Sequence, residues 1–226
     1  MRERFDQRLD LVDKDVLIMG WMVRNAILAA VEALTSADQR RAREVEENDE
    51  RIDQRRRDVE QECVELIATQ APVARDVRRL VGALEVIGEL EQVGDYAKDI
   101  ARVCIMLGPL AQDFTVDLGP LGSKTASYLQ RAVVAFVHRD RQAAEQVMDD
   151  LRSVAILCRE AMDTLSKPPE GVQPEIGNYG RWAVHSLDRA ASRARHVAES
   201  TLYVITGEME RSSGWGTVSR GARDAS

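Results

Sequence analysis

Residues 5–33 read FDQRLDLVDKDVLIMGWMVRNAILAAVEA, and this stretch predicts one long helix that faces a protein core. Its apolar residues recur every three or four positions, which is the period of one face of an α-helix. The members of this stripe are Phe5, Leu9, Val12, Val16, Met19, Val23, Ala26, Ala30 and Ala33. A helix with one apolar face must cover that face with other helices, so the stretch indicates an all-α bundle.

Two further helices are predicted to follow the first. The apolar pattern stops near Thr35, and Ser36 is placed to cap a second helix that runs toward Gln70. Pro72 ends the second helix and opens a third. Three helices of about 30 residues, each about 45 Å long, can hide their stripes by packing antiparallel when short turns join them. We therefore expect a three-helix bundle over residues 1–109.

The second half of the chain repeats part of the first. Residues 131–147 match residues 29–45, and the shared aspartate is Asp38 in one copy and Asp140 in the other. This internal repeat predicts a second, similar three-helix bundle over residues 110–207, after the glycine- and proline-containing stretch that begins at Gly108. Residues 208–226 are rich in Ser, Gly and Arg without an apolar period, so we expect a flexible tail there.

The charge and the cysteines of the chain exclude several functional classes. A formal net charge of -7 disfavours a protein that binds the phosphate backbone of nucleic acid. The three cysteines, Cys63, Cys104 and Cys158, lie in apolar helical patterns, which indicates a reducing compartment rather than disulfide or zinc chemistry. No run of about 18 apolar residues occurs, so we expect a cytoplasmic protein.

Two acidic motifs mark the candidate functional site: Asp49-x-x-x-Asp53 on the second helix and Glu91-x-x-x-Asp95-x-x-x-Asp99 on the third. The apolar stripe of the second helix is Val45, Asp49, Ile52, Arg56, Val59, Cys63 and Leu66, and that of the third is Val77, Val81, Leu84, Ile87, Glu91, Asp95, Lys98, Ala101 and Ile105. Acids on such a seam are expensive to bury unless they pair or bind a cation.

The spacing within the motifs is compatible with a metal site or with ion pairs. A spacing of four places both carboxylates of a motif on one helix face, and two neighbouring helices can then supply four oxygens to a shared cation. On periodicity alone, ion pairs that Asp49 or Asp53 forms with nearby arginines at the rim of the bundle are an equally good interpretation. The arginines available for such pairs are Arg51, Arg56 and Arg57.

Several longer motifs resemble the PhoU/PhoY family of phosphate-signalling regulators over almost the whole chain. They include Met1-Arg-x-x-Phe-x-x-x-Leu9, Asn48-Asp-Glu-Arg-Ile-Asp53, Ala68-Thr-Gln-x-Pro-Val-Ala-Arg-Asp-Val-Arg78 and Leu90-Glu-Gln-Val-Gly-Asp-Tyr-Ala-x-x-Ile-Ala101. The resemblance implies two tandem three-helix bundles and a homodimer. It also implies a cytoplasmic negative regulator of the phosphate-starvation response that is not an enzyme. The implied partners are the ATPase of the phosphate ABC transporter and a phosphate sensor histidine kinase. The protein would reach the membrane only through these two partners.

The resemblance further implies a divalent or trivalent metal ion held by the acidic motifs. The ligands in this sequence would be Asp49, Asp53, Glu91, Asp95 and Asp99. An all-carboxylate ligand set favours Fe, Mn or Mg over Zn. Lys98 would offset part of the negative charge.

In the second half, the repeat replaces most of these acids. The corresponding positions are Leu151, Ala155, Asp188, Ser192 and His196, so metal is expected in the N-terminal bundle only. A residual site formed by Asp188, His196 and Asp150 is conceivable from the residues, but the resemblance does not support it.

Two other functional classes compete with a regulator. A metal-dependent hydrolase would use the same carboxylates, although the sequence shows no nucleophile and base pair, no phosphate-binding glycine loop and only 4% aromatic residues. A purely structural scaffold would tolerate apolar residues at Asp49 and Glu91, whereas a metal-binding regulator would lose its ion.

Overall fold

The computed structural model describes residues 2–167 and 171–208, and helices make up nearly all of this part of the chain. The helices are α1 (Arg2–Thr35), α2 (Gln39–Gln70), α3 (Ala74–Leu107), α4 (Gly119–His138), α5 (Arg141–Asp150), α6 (Arg152–Leu165) and α7 (Pro174–Thr206), with a 3₁₀ helix at Gly108–Asp113 between α3 and α4. The described residues contain no strand. The predicted all-α helical bundle is therefore confirmed.

The helices form two groups that share one core. Helices α1, α2 and α3 pack on one another, and α7 packs on α4, α5 and α6. The two groups meet where α3 contacts α7 and α1 contacts α4. Buried apolar residues of both halves belong to one continuous cluster, so the predicted division near residue 109 stays a prediction. The predicted tail lies outside the described residues except for its first residue, Glu208.

Helix α1 buries the stripe that the sequence predicts. Leu9, Val16 and Met19 are at most 1% exposed, whereas Ala26 is half-buried and its neighbour Ile27 is fully buried. By length and composition α1 is also apolar enough to cross a membrane, but the core helix of a soluble protein passes the same test. Its packing against α2, α3 and α4 accounts for its apolar character.

The turn between α1 and α2 corrects the predicted helix cap. Asp38, not Ser36, caps α2, because the Asp38 side chain accepts a hydrogen bond from the backbone N–H of Arg41 at 2.9 Å. The Ser36 hydroxyl instead donates to the carbonyl of Glu32 at 2.7 Å. Ala37 adopts a positive φ of 54°, which turns the chain so that Asp38 precedes the helix in extended conformation.

The same turn recurs between α4 and α5. Arg139 has a φ of 53°, and the Asp140 side chain accepts a hydrogen bond from the backbone N–H of Ala143 at 3.0 Å. These residues stand 102 positions after Ala37, Asp38 and Arg41. The repeat in the sequence is thus matched by backbone geometry at this turn.

The middle helix of the second half is divided, unlike its counterpart α2. The division falls at Leu151, between α5 and α6. There the Ser153 hydroxyl donates to the carbonyl of Asp150 at 2.8 Å, and the backbone N–H of Val154 bonds to the carbonyl of Leu151, three residues back. A side-chain hydroxyl that donates to a helix carbonyl disturbs a regular α-helix. A backbone hydrogen bond that spans three residues instead of four also disturbs it.

Helix α3 does not bury the single stripe predicted for it. Glu91 is half-buried and Asp95 is exposed, so the prediction that Asp95 faces inward is wrong. Because α3 packs against α1, α2 and α7 together, apolar residues around most of its circumference are buried. They include Leu80, Ala83, Val86, Ile87, Leu90, Val93, Ala97, Ile100, Ala101 and Cys104.

A polar cluster on α3 and α7 joins the two halves. Arg193 Nη1 donates to Glu89 Oε2 at 3.0 Å, and His196 Nδ1 lies 3.2 Å from the same oxygen. Burial of Glu89 acts to raise its pKa, but the hydrogen bonds and charges of His196 and Arg193 outweigh burial and hold the pKa of Glu89 below its ordinary value.

Glu89→Gln should lower the free energy of unfolding at neutral pH by about 1 kcal/mol, because the charged acceptor is lost. An acid whose pKa is depressed on folding stabilises the fold above its unfolded pKa, here 4.5, and that stabilisation disappears as pH falls through the lower folded pKa. Urea unfolding should therefore show wild type and variant converging below that pH. Glu85→Gln is the matched control, since Glu85 accepts from the neutral Ser200 hydroxyl at 3.1 Å. A wild-type advantage that is the same at about pH 3 and about pH 7 would contradict the assignment.

Candidate functional site

The acidic motifs lie on adjacent helices, as the sequence predicts. Asp49 and Asp53 stand one turn apart on α2, and α2 packs along α3, which carries Glu91, Asp95 and Asp99. Asp49 is the buried member of the set, with 4% of its surface exposed. The others are half-buried, except for the exposed Asp95.

Asp49 has one satisfied oxygen and one unsatisfied oxygen. Its Oδ2 accepts a hydrogen bond from Lys98 Nζ on α3 at 2.5 Å. Its Oδ1 is buried and has no hydrogen-bond partner among the residues that the structure describes. A Cβ atom added to Gly94 would lie 3.2 Å from this oxygen and 3.2 Å from Ile52 Cδ1, so glycine is what allows the two helices to approach here. A buried carboxylate oxygen without a donor is energetically costly, and a cation would relieve that cost.

Basic residues of both helices compete for the carboxylates. Arg56 Nη1 on α2 lies 3.1 Å from Glu91 Oε1 on α3. Asp53 makes no ion pair among the described residues. The ion-pair interpretation is therefore realised across the two helices, by Lys98 and Arg56, rather than within α2.

The remaining arginines proposed as partners of the α2 acids are engaged elsewhere. Arg51 Nη1 donates to the side chain of Asn48 at 3.3 Å, and Arg57 Nη2 donates to that of Gln54 at 2.9 Å. Both arginines are exposed and pair with neutral amides one turn away on α2. The carboxylates of Asp49, Asp53, Glu91, Asp95 and Asp99, here called the acidic face, therefore have only Arg56 and the α3 residue Lys98 as ion-pair partners within the described part of the chain.

The electrostatics of the site show an excess of negative charge. Although Asp95 is exposed as a whole residue, partial desolvation of its carboxyl group, followed by the charges of Asp49 and Glu91, raises the pKa of Asp95 above its ordinary value. Burial likewise raises the pKa of Asp99, against the opposing charges of Arg102 and Lys98. The hydrogen bond to Asp49 raises the pKa of Lys98, so this ammonium group stays charged. A bound cation would lower the repulsion that Asp95 experiences.

The carboxylate oxygens of the site are ligands that suit a hard cation. In this structure, two of these carboxylates pair with the ammonium of Lys98 and the guanidinium of Arg56. Carboxylate oxygens are the ligands that Mg, Mn and Fe accept, and the unpartnered Asp49 Oδ1 is an available donor. Within the part of the chain that the structure describes, however, no three His, Cys, Asp or Glu side chains are grouped closely enough to hold an ion. Metal bound here would replace Lys98 as the counter-charge of Asp49.

The residual C-terminal site conceivable from the sequence is not assembled. Asp150 Oδ2 accepts from Arg131 at 2.7 Å, and His196 pairs with Glu89 on α3. Asp188 takes part in neither of these pairs, and its Oδ1 accepts a long contact of 3.8 Å from Cys158 Sγ. The three residues thus make three separate contacts.

Sequence reasoning missed a cavity beside Asp49 and the role of Gly94. The cavity has a volume of about 660 Å³ and lies between α1 and α2, with Asp49 and Gly94 among its lining residues. Ile18, Met22 and Ile52 form part of its apolar wall. A glycine inside a helical pattern was the available signal, because such a glycine often marks a close backbone approach.

Comparison with known proteins identifies relatives over nearly the whole chain. The PhoU domain matches residues 16–104. The phosphate-specific transport system accessory protein PhoU homolog of Pseudomonas aeruginosa is 30% identical over 212 residues, which cover 91% of this chain and 86% of that protein. The chain belongs to the PhoU family. A PhoU homolog of Clostridium acetobutylicum is 29% identical over 213 residues, covering 92% of this chain and 96% of that protein.

Solved PhoU structures share the fold. The crystal structure of the phosphate transport system regulatory protein PhoU from Streptococcus pneumoniae gives a TM-score of 0.84 at 22% identity and covers 92% of this chain and 99% of that chain. At that identity the likeness concerns the fold alone. PhoU from P. aeruginosa gives a TM-score of 0.75 at 28% identity over 90% of this chain and 100% of that chain.

These findings confirm the PhoU resemblance that the sequence motifs between Met1 and Ala101 indicate. The matched PhoU domain, residues 16–104, includes every predicted metal ligand from Asp49 to Asp99. The relatives are described as accessory or regulatory proteins.

Proposed function

We propose that this PhoU-family chain is a cytoplasmic accessory protein of phosphate uptake and a negative regulator of the phosphate-starvation response. The observation that carries the proposal is the 30% identity, over 91% of the chain, to a protein named as an accessory of phosphate-specific transport. The protein acts as a homodimer by contacts with the ATPase of the phosphate ABC transporter and with the sensor histidine kinase. It catalyses no reaction and reaches the membrane only through these partners.

The proposal includes a metal ion in the N-terminal half, held by Asp49, Asp53, Glu91 and Asp95, with Asp99 as a fifth candidate ligand. Support comes from the unpartnered Oδ1 of the buried Asp49 and from the raised pKa of Asp95. The ion would link α2 to α3 and so stabilise the surface that these helices present. Fe, Mn and Mg suit the oxygen ligands better than Zn.

Removing two ligands should remove the metal. Protein purified without an affinity tag is expected to contain Fe, Mn or Mg by elemental analysis, and Asp49→Ala combined with Glu91→Ala should contain none, because ligands on both helices are lost. Lys98→Met should raise metal affinity, since the ammonium that competes for Asp49 Oδ2 is removed.

The matched control combines Glu47→Ala with Glu50→Ala, which removes two exposed acids of α2 and changes the net charge equally. It should retain the metal. Metal absent from wild type and from Lys98→Met would refute the metal site and leave the carboxylates as partners of Lys98 and Arg56. Metal-dependent hydrolysis of a generic phosphate ester, abolished in the double variant, would favour the hydrolase alternative.

The regulatory part of the proposal is tested in cells that lack this chain and carry a phosphate-starvation reporter. Wild type should restore repression in phosphate-rich medium, and the Asp49→Ala, Glu91→Ala variant should fail to do so at equal protein level. Pull-down from the same cells should recover the transporter ATPase and the kinase with wild type. A reporter that is indifferent to the presence of the chain would contradict the regulatory function, and full activity of the double variant would support a scaffold without metal.

A further inference from the structure

The C-terminal counterpart of the acidic face is a cavity. It has a volume of about 660 Å³ and lies between α6 and α7. Four of its lining residues occupy the repeat positions of the predicted metal ligands, namely Leu151, Ala155, Asp188 and Ser192. Where the first half has the carboxylates of Asp49 and Asp53, this cavity is therefore lined by apolar side chains.

The charge that lines this cavity is mainly positive. Arg152, Arg159 and Arg195 line it, the first two exposed and the third half-buried, and Asp188 is the one acidic residue among the described residues of the lining. None of the three arginines makes a hydrogen bond or an ion pair with any residue in the described ranges. In the other half, the corresponding lysine, Lys98, is paired with Asp49 at 2.5 Å.

The repeat explains why one of these arginines lacks a partner. Arg195 is the counterpart of Lys98, since both stand seven residues after the matched acids Asp188 and Glu91. Lys98 neutralises Asp49, but the residue at the position of Asp49 in this half is Leu151. The cation has been kept while its acid has been lost, which leaves an uncompensated guanidinium at the cavity.

The other polar groups of the cavity do not cancel this charge. Burial and the nearby Asp188 raise the pKa of the Cys158 thiol to about 12, so the thiol stays neutral. The Ser192 hydroxyl donates to the carbonyl of Asp188 within α7 at 3.1 Å. The described lining residues thus include three guanidinium groups and one carboxylate, and His185 lies beside them.

Charge and size together define the ligand class. A net positive charge of two matches the dianionic form of a phosphate monoester, and guanidinium groups bind phosphate oxygens in pairs. Inorganic phosphate alone is much smaller than this cavity, which falls within the range of about 300–1,000 Å³ typical of small-molecule sites. Val154, Met162 and Val184 supply an apolar wall for the rest of a ligand.

We propose that this cavity binds a small organic phosphate monoester, with its phosphate group on Arg152, Arg159 and Arg195 and its apolar body against α6 and α7. The second half of the duplicated chain would thus have an anion site at the place that corresponds to the proposed cation site of the first half. The inference goes beyond the proposed regulatory function and does not rest on it.

The test is isothermal titration of the full chain with phenyl phosphate, in EDTA so that metal at the acidic face cannot bridge the anion. Wild type should bind one equivalent, about tenfold or more tightly than inorganic phosphate, because phenyl phosphate also buries apolar surface. Arg195→Gln and Arg159→Gln should each weaken binding about tenfold, since each removes a charged donor. Ala155→Asp should abolish binding, because it places a carboxylate at the cavity.

The matched control is Arg57→Gln, the repeat counterpart of Arg159 on the exposed face of α2, and it should bind like wild type. Circular dichroism and thermal unfolding establish that each variant is folded. No binding by wild type, or equal binding by wild type, Arg195→Gln and Ala155→Asp, would overturn the proposal. Equal affinity for phenyl phosphate and inorganic phosphate would overturn the assignment of the apolar wall. The titration is independent of the reporter assay, so failure of one proposal is distinguishable from failure of the other.

Discussion

Asp13→Ala should destabilise the protein by about 3 kcal/mol, because it removes the shared counter-charge of two arginines. Asp13 lies on α1 and is only 6% exposed. Its Oδ2 accepts from Arg79 Nη2 on α3 at 2.6 Å and from Arg139 Nη2, in the turn before α5, at 2.8 Å. Without Asp13 two partly buried guanidinium groups would be left without an acid between them. Urea unfolding at neutral pH measures the loss.

Asp10→Ala is the matched control for this prediction. Asp10 is on the same helix and accepts from the same atom, Arg79 Nη2, at 2.9 Å, but its side chain is 67% exposed. Water already screens that pair, so its loss should lower stability by less than about 1 kcal/mol. If Asp10→Ala and Asp13→Ala reduced stability equally, burial would not be the reason for the importance of Asp13.

The cluster formed by Asp13, Arg79 and Arg139 connects more than two helices. It connects α1 to α3 within the first half, and both to the turn between α4 and α5 in the second half. Loss of the cluster should therefore loosen the contact between the halves, and hydrogen exchange should increase at the α4–α5 turn in Asp13→Ala.

Gly82→Ala should also be strongly destabilising, by about 1–3 kcal/mol, because the helices cross too closely for a methyl group. A Cβ atom at Gly82 on α3 would lie only 2.4 Å from Val204 Cγ2 on α7 and 3.2 Å from Phe136 Cε2 on α4. All three residues are buried where the two halves meet, so no side chain can move into solvent to make room. Thermal and urea unfolding measure the effect.

Gly88→Ala tests whether steric contact, rather than helix propensity, decides the result. Gly88 lies on the same helix, and a Cβ atom there would have no neighbour within 4 Å. Alanine should then stabilise the protein by up to about 1 kcal/mol. Val204→Ala should restore part of the stability of Gly82→Ala, because it removes the clashing methyl groups. Equal destabilisation by the two glycine variants, or no rescue, would contradict this packing.

Periodicity was sufficient wherever a helix buries one face. The stripe of α2 is a clear case, since all of its predicted members except the half-buried Arg56 are buried, namely Val45, Asp49, Ile52, Val59, Cys63 and Leu66. The acidic residue within that stripe pointed to the candidate site for the same reason, because a carboxylate on a buried seam needs a partner. Both inferences depend only on the helical repeat, which is a local property of the chain.

Periodicity failed where a helix has several neighbours or where a side chain competes with the backbone. Helix α3 packs on both halves, so its predicted face was shifted and Asp95 is exposed. The cap at Asp38 follows the positive φ of Ala37, and the division at Leu151 coincides with the hydrogen bond that the Ser153 hydroxyl donates to the helix backbone. No pattern of apolar residues contains such information.

By itself, the sequence determined the helices, the duplication, the family and the set of candidate carboxylates, because these follow from local spacing and from motifs. Tertiary structure alone decided which charges are matched. It pairs Lys98 with Asp49 and, within the described ranges, leaves the other oxygen of Asp49 without a donor and Arg195 without an ion-pair partner beside the second cavity. The physical reason is that a partner across two helices depends on how those helices pack, and packing brings together residues far apart in the chain.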